Sequence, residues 1–282
     1  VVEQNAENDP FDCHAKNSGI PPFHLVIKTL HWKDAKGPTW ARYLLNEMIK
    51  DEDFIMGLDS HIRFEPAWDV YHIDELYKTK RPKHTVLSLY PSSFERLNDG
   101  NGNLSYRITS RDHYRTSELD KFDSEGNLIF ITHSRNFKQF IPRYAPMIAA
   151  GYYFVHGDFK NKVPWSPKTP HLFFGEEMLL SARAFTNGYD IMVPSQCKIY
   201  HEWSRAYRVN FAANETLRQE SLKWLRSILD QSLIDDQYGI GKVRSLQEYW
   251  DYIGVDYKSK TILNKTNPFV PPSSWRTISN DD

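Results

Sequence analysis

The sequence predicts an α/β fold, with a mixed sheet flanked by helices. A strand candidate at 23–30 is followed by a segment of helical periodicity at 39–50 and by apolar runs at 53–58 and 84–90. The order strand, helix, strand and strand is typical of an α/β domain. A later segment, 215–233, has leucines at helical spacing and predicts an amphipathic helix. These leucines are Leu222, Leu225, Leu229 and Leu233.

Local signals give the bounds of the other elements. Gly37-Pro38 begins the first predicted helix, and Asn187-Gly188 ends the second. The predicted helices are 39–50, 178–186, 215–233 and 245–253. The predicted strands are 1–2, 23–30, 53–58, 84–90, 128–132, 149–155, 191–194 and 198–200.

Residues 95–137 have a different, polar character. Turn sequences at 98–102 and 123–127 predict that this segment is an antiparallel insertion packed against the sheet. We therefore expect three parts in the chain. They are a catalytic domain at 1–212 that contains the insertion, a C-terminal helical extension at 213–266 and an extended tail at 267–282.

Composition excludes two classes of protein. The chain has 35 Lys and Arg against 36 Asp and Glu, so no net positive charge attracts nucleic acid or an anionic membrane. No apolar run reaches the roughly 18 residues of a membrane span. Cys13 and Cys197 form no Cys-x-x-Cys motif, and their redox state does not indicate a compartment.

A carboxylate and an imidazole follow the predicted strand 53–58. In Asp59-Ser60-His61 the two side chains are two positions apart, which in an extended strand places them on one face. Open α/β sheets bind nucleotides along this edge. Oxygen and nitrogen ligands suit a divalent ion such as Mn²⁺ (or Mg²⁺) that neutralises a diphosphate. An isolated Asp-x-His also occurs in solvated turns, so the pair predicts a metal site only together with the later clusters.

His201 is the candidate third metal ligand. It follows a predicted short strand within Tyr200-His201-Glu202-Trp203-Ser204-Arg205. A histidine in such a position is usually a surface residue, and this alternative stays open. Diphosphate oxygens and water would complete the coordination shell.

Glu176 and Glu177 form an acidic pair at the predicted start of a helix. The macrodipole alone stabilises carboxylates there, which is the structural alternative to a catalytic role. The preceding Phe173-Phe174-Gly175 supplies apolar backing and a glycine that allows close approach of a ligand. We therefore expect the pair to accept hydrogen bonds from a donor sugar or to position an acceptor.

Two further segments are candidates for contact with a nucleotide or a sugar. Gly37 and Arg42 lie near the start of a helix, where backbone N–H groups and a guanidinium can bind phosphate; the alternative is a Pro-initiated helix with surface charges. Trp68 and Asp69 suit either a sugar-stacking ring with a carboxylate or a core residue with a cap.

The ordered set of motifs resembles a metal-dependent family of N-acetylglucosaminyltransferases that attach α-GlcNAc to protein hydroxyls, on hydroxyproline or threonine. The motifs that carry the resemblance cover nearly the whole chain. They are Ala35-Lys36-Gly37-Pro38 with Ala41-Arg42, Leu58-Asp59-Ser60-His61-Ile62-Arg63-Phe64 with Trp68-Asp69, Val86-Leu-Ser-Leu-Tyr-Pro91, Ala150-Gly151-Tyr-Tyr-Phe154, Val163-Pro164, Leu172-Phe-Phe-Gly-Glu-Glu177, Ala182-Arg183, Gly188-Tyr189-Asp190, Ile199-Tyr-His-Glu-Trp-Ser-Arg205, Tyr238-Gly-Ile-Gly241, Arg244-Ser-Leu246 and Tyr249. The pattern is also similar to that of the polypeptide GalNAc-transferases.

The resemblance implies a GT-A-type, Rossmann-like fold and a retaining transfer from a UDP-sugar to a protein or peptide acceptor. It implies that Asp59, His61 and His201 hold Mn²⁺, that Arg42 faces the nucleotide, and that Glu176 and Glu177 face the sugar. Relatives begin with a uridine-binding strand upstream of the segment that matches 1–5, so we expect the first nucleotide-binding strand to be missing here. Any membrane anchor would lie in an absent segment. A Golgi lumenal location is slightly favoured over a cytoplasmic one.

Two other functions stay open at this point. One is a catalytically inactive module that binds a sugar nucleotide or a carbohydrate. The other is a metal-dependent phosphoesterase, although the sequence has no further carboxylate-rich cluster for a second ion.

Overall fold

The computed structural model describes residues 2–5, 25–98, 104–108, 114–135, 140–196, 198–204, 213–235 and 237–264. The predicted tail 267–282, both cysteines and the start of the predicted strand 23–30 lie outside these residues. The predicted mixed α/β fold is confirmed.

The structure describes six α-helices, and all but those at 68–77 and 159–162 begin within two residues of a predicted start. They are α1 (Pro38–Asn46), α2 (Trp68–Tyr77), α3 (Phe159–Lys162), α4 (Glu176–Thr186), α5 (Glu215–Leu229) and α6 (Leu246–Ile253). Gly37 caps α1 with φ 86° and Pro38 occupies its first turn. Ser245 and Glu248 form a capping box at the start of α6.

The predicted end of the helix 215–233 is wrong. Helix α5 stops at Leu229, and Gln231 has a left-handed φ of 60° that ends the helical path. Leu222, Leu225 and Leu229 are buried as expected, whereas Leu233 lies past the helix and is 41% exposed.

The strands are short and pair into several sheets. They are β1 (Val2–Asn5), β2 (Lys28–His31), β3 (Phe54–Leu58), β4 (Ile62–Phe64), β5 (Thr85–Ser88), β6 (Ser92–Asn98), β7 (Leu104–Ile108), β8 (Tyr114–Phe122), β9 (Leu128–Arg135), β10 (Arg143–Tyr144), β11 (Tyr152–His156), β12 (Asp190–Val193), β13 (Ile199–His201), β14 (Val255–Asp256) and β15 (Thr261–Ile262). The larger sheet has the order β10-β12-β5-β11-β3, and the smaller one β4-β13-β6-β7. Only β12–β5 and β13–β6 are parallel pairs within these two sheets.

The predicted insertion is divided between two places. Strands β6 and β7 extend the smaller sheet next to β13. The β8–β9 hairpin turns at 123–127 as predicted, but its apolar residues Leu119, Leu128 and Phe130 pack with α4, α5 and α6. The helices therefore cover the apolar face of this hairpin, while β8 also contacts β12 of the larger sheet.

Helix α4 lies between the two cores of the molecule. Its Leu180 and Ala184 belong to the core around the larger sheet, and its Met178 and Phe185 belong to the core with the hairpin and C-terminal helices. Nearly every residue of α4 is buried. The acidic pair at its first turn is therefore held on a firmly fixed helix.

Across the ranges that the structure describes, we find no helix with the length and apolar character needed to cross a membrane.

Candidate active site

Charged side chains from separate elements converge on one cleft, a cavity of about 200 Å³. The end of β3, the end of β13, the segment after β5, and helices α1 and α4 form its walls. The titratable residues that line it are Arg42, Asp59, Tyr90, Glu176, Glu177 and His201.

Asp59 directly follows β3 and lies beside Gly151, the residue before the neighbouring strand β11. Its N–H donates to the carbonyl of Gly151 (3.0 Å). A Cβ at Gly151 would lie 3.0 Å from Asp59 Oδ2, so a glycine leaves room for the carboxylate. Asp59 Oδ1 accepts a hydrogen bond from Arg42 Nη2 (2.8 Å), which fixes its direction.

His201 is brought to Asp59 by the smaller sheet. Strand β13 pairs with β4, so that His201 lies opposite Ile62 and next to His61. His201 is 1% exposed, its ring contacts Trp203 (4.2 Å between centroids), and its Nε2 lies 3.9 Å from Asp59 Oδ2. The predicted meeting of Asp59 and His201 therefore occurs.

His61 lies near His201, but a turn places it there and not the alternation of side chains along a strand that the sequence suggested. Strand β3 ends at Leu58, and His61 has a left-handed φ of 72°, so strand alternation does not relate it to Asp59. The turn reverses the chain into β4, which leaves the His61 and His201 rings 6.3 Å apart.

Glu177 is the fully bonded member of the acidic pair. Its Oε2 accepts from the Tyr90 hydroxyl (2.5 Å), and its Oε1 accepts from the Ala150 N–H (2.9 Å). Burial raises the pKa of Glu177, although these two hydrogen bonds oppose the shift.

Glu176 also lines the cleft, but its carboxyl group has fewer hydrogen-bond partners than that of Glu177. Its Oε1 lies 3.9 Å from Arg42 Nη1, and its buried Oε2 has no hydrogen-bond partner in the part of the chain that the structure describes. Burial, followed by repulsion from Glu177, raises the pKa of Glu176. Glu176 therefore lines the cleft with hydrogen-bonding capacity that the described residues leave unused.

A model of the glycosyltransferase (GlcNAc) family matches residues 5–259, most of the chain. The chain belongs to this family. No curated protein matches it in sequence.

The fold of this glycosyltransferase is also found among solved structures. It is similar to GalNAc-T7, solved with UDP, GalNAc and Mn²⁺, with a TM-score of 0.56 and 14% identity. The match covers 89% of this chain and 47% of the GalNAc-T7 chain, so the present chain spans about half of that length. At this identity the likeness establishes the GT-A fold.

Two of the three predicted metal ligands are close enough together to bind one divalent cation. Ligand atoms that share one ion lie about 2.0–2.2 Å from it, and so at most about 4.4 Å from each other. The 3.9 Å between Asp59 Oδ2 and His201 Nε2 falls within this limit. Among the described residues, no group of three His, Cys, Asp or Glu side chains forms a metal site, so His61 stays a predicted third ligand.

The cleft contains more acidic than basic side chains, which also favours a bound cation. The carboxyl groups of Asp59, Glu176 and Glu177 face the guanidinium of Arg42, the one Lys or Arg among the described lining residues. Arg42 is 11% exposed, lies over the Trp165 ring (5.3 Å), and its Nη1 has no hydrogen-bond partner among the described residues. Bound ligand or cation charge would balance the excess of carboxylates.

The other predicted site residues do not line this cleft. Gly37 and Gly175 cap α1 and α4 without lining the cavity; a Cβ at Gly175 would meet Asn127 Oδ1 at 2.7 Å, so packing on the hairpin requires this glycine. The Trp68 ring contacts Phe64 at the start of α2, with centroids 4.7 Å apart and planes at 42°, and like the exposed Asp69 it does not line the cleft. Their contacts with a nucleotide or sugar stay predictions.

A second cavity, of about 340 Å³, runs along β3 and α1. Arg42 borders both cavities, and Leu45, Met56 and Tyr153 are among the apolar residues that line the second one. Strand β3 is at the edge of its sheet here, without a strand partner on this side among the described residues.

Sequence reasoning missed Tyr90 and Gly151 as residues of the site. Both occur in motifs noted above, but neither was given a role. A signal existed for Tyr90, because it ends the predicted strand 84–90. It lies just past β5 as Asp59 lies just past β3, at the carboxyl end of a strand in the same sheet.

Proposed function

We propose that this chain is a metal-dependent, retaining glycosyltransferase that moves N-acetylglucosamine from a UDP-sugar to a hydroxyl group of a protein. The convergence of Arg42, Asp59, His201 and Glu176 on one cleft is the observation that supports it. A cation site, a guanidinium for phosphate and a carboxyl group for a sugar are the parts that such a transfer requires.

Arg42 would bind the diphosphate. Its guanidinium is nearly buried, and Asp59 and Trp165 hold it in place, so its charge acts at a fixed position. A cation held by Asp59 and His201, with His61 as the predicted third ligand, would supply further neutralisation of the leaving diphosphate. The uridine would occupy the second cavity, which Arg42 borders.

Glu176 would orient the donor sugar through hydrogen bonds with its hydroxyl groups. The transfer requires no side-chain base, because the departing phosphate oxygen can accept the proton of the acceptor hydroxyl. The contribution of the protein is then positioning and electrostatic stabilisation of an oxocarbenium-like transition state.

The donor sugar, the protein acceptor and a Golgi lumenal location are the finer parts of the proposal. The family match supports N-acetylglucosamine, and the UDP and Mn²⁺ in the GalNAc-T7 structure support this nucleotide and cation. The motifs shared with protein-hydroxyl transferases support the acceptor class.

Hydrolysis of a panel of UDP-sugars with Mn²⁺ or with EDTA tests this function. We expect UDP release from UDP-GlcNAc in the presence of Mn²⁺ and none in EDTA. Asp59→Asn should lose this activity. Asp251→Asn, which changes an exposed carboxylate on α6, should keep it. Metal-dependent UDP binding without turnover would instead identify an inactive binding module. Cleavage of simple phosphoesters without UDP-sugar turnover would identify a phosphoesterase.

A further inference from the structure

Tyr90 connects the cleft to the β8–β9 hairpin. Its hydroxyl donates to Glu177 Oε2 (2.5 Å) and its ring stacks on Phe130 of β9, with centroids 4.6 Å apart and planes at 15°. Its N–H donates to Thr132 Oγ1 of the same strand (3.3 Å). The hairpin therefore fixes both the backbone and the ring of Tyr90.

Tyr90 is kept as a hydrogen-bond donor. Burial raises the pKa of its phenol, and the neighbouring Glu177 carboxylate adds to this effect, so the hydroxyl keeps its proton. On its other side the ring meets the edge of Trp203 (5.8 Å), whose Nε1 donates to Pro91 (3.1 Å). The hydroxyl has little freedom to turn away from Glu177.

The two glutamates are therefore unequal. Tyr90 and Ala150 bind one oxygen of Glu177 each, so both oxygens of this side chain are already engaged although it lines the cleft. Glu176, the preceding residue in the same helical turn, has its Oε1 3.9 Å from Arg42 Nη1 and a buried Oε2 without a hydrogen-bond partner among the described residues. The position of Glu176 depends on the turn that Glu177 anchors.

We propose that Tyr90 is a positioning residue for the transfer reaction. Through Glu177 it joins the hairpin to the first turn of α4 and so fixes the carboxyl group of Glu176 that faces the sugar. The inference rests on the proposed function and assigns the hairpin a supporting role in catalysis.

The test is a double-mutant cycle of Tyr90→Phe and Glu177→Gln. Phenylalanine keeps the stacking on Phe130 and removes only the hydroxyl. We expect Tyr90→Phe to lower kcat about tenfold, which is the lower end of the loss seen when a supporting hydrogen bond is removed from a site. The Kd for UDP should stay within about twofold of the wild-type value. Because Tyr90 acts through Glu177, we expect Tyr90→Phe to cause little further loss in a Glu177→Gln background.

Tyr249→Phe is the matched control. Its hydroxyl donates to the Pro146 carbonyl (2.9 Å) in the buried core and lies outside the cleft. We expect this variant to lose stability comparably to Tyr90→Phe and to keep wild-type kcat. Independent, multiplicative losses from Tyr90→Phe and Glu177→Gln would overturn the proposal, as would a normal kcat in Tyr90→Phe.

A crystal structure of Tyr90→Phe tests the coupling without any assay of turnover. We expect the Glu177 side chain to leave Ala150 and the Glu176 carboxyl group to shift with it. An unchanged acidic pair would overturn the inference even if the wild type turns over UDP-GlcNAc. A wild type with no turnover would instead contradict the proposed function, while the crystallographic result would still decide whether Tyr90 positions the pair.

Discussion

Replacing Gly151 with alanine would disturb Asp59 without disturbing the fold. The new Cβ would lie 3.0 Å from Asp59 Oδ2, whereas ordinary contacts begin at 3.4 Å, so the carboxylate has to move by 0.4 Å (3.4 − 3.0). Functional groups have to be held within about 0.5 Å of their working geometry, so this movement uses most of the tolerance. We expect Mn²⁺-dependent UDP binding to weaken about tenfold, in the range typical of a disturbed metal site.

Calorimetric titration with Mn²⁺ and UDP, alongside thermal unfolding, measures both effects of Gly151→Ala. Stability should change by less than about 1 kcal/mol, because alanine also lowers the entropy of the unfolded chain. Gly57→Ala is the contrasting variant: its Cβ would lie 2.1 Å from the Tyr153 ring, and we expect loss of folded protein. An unchanged Kd for UDP in Gly151→Ala would refute the reasoning that Asp59 needs this space.

Three further predictions follow from the site and the core. His201→Ala should weaken Mn²⁺–UDP binding at least about tenfold; calorimetry that gives the wild-type Kd would contradict its role as a ligand. Glu177→Gln should lower turnover roughly 10- to 100-fold, or about 1.5–3 kcal/mol, with nearly normal UDP affinity; proportional losses in both would show that it holds the nucleotide. Burial lowers the pKa of His72 from 6.5 to about 4, so below pH 6.5 the unfolded chain binds a proton that the folded one excludes. Urea unfolding should therefore show stability falling by up to about 3 kcal/mol between pH 6.5 and 4, more in the wild type than in His72→Phe; equal pH dependence in both would contradict this.

The sequence predicts the parts of the fold that have a clear hydrophobic period. Strand β3 and helix α4 lie within about two residues of the predicted bounds, because an apolar run and a capped apolar stripe define them locally. Helix α2 was not predicted, because its buried face includes His72 and Glu75, polar residues that hide the period. Glu75 is satisfied by Ser195, 120 positions away, a contact that no local pattern reveals.

The residue types of the candidate site could be identified from the sequence, but their arrangement in space mostly could not. Asp59 and His201 carry the residue types of a metal site, and their meeting depends on the pairing of β13 with β4. The roles of Glu176 and Glu177 could not be distinguished in the sequence, because they depend on which oxygen Tyr90 and Ala150 reach. The metal role of His61 stays a prediction.

The burial of α4 on all sides has a consequence for how this protein could be redesigned. A substitution within α4 alters two cores at once, so the acidic floor of the cleft offers little freedom for change. Phe173 and Phe174 line the same cleft but are 41% and 56% exposed, so their replacement changes the rim and few packed neighbours. A library aimed at new acceptors should therefore randomise these two aromatic residues and leave the helix intact, together with Trp203, which contacts His201 and Tyr90.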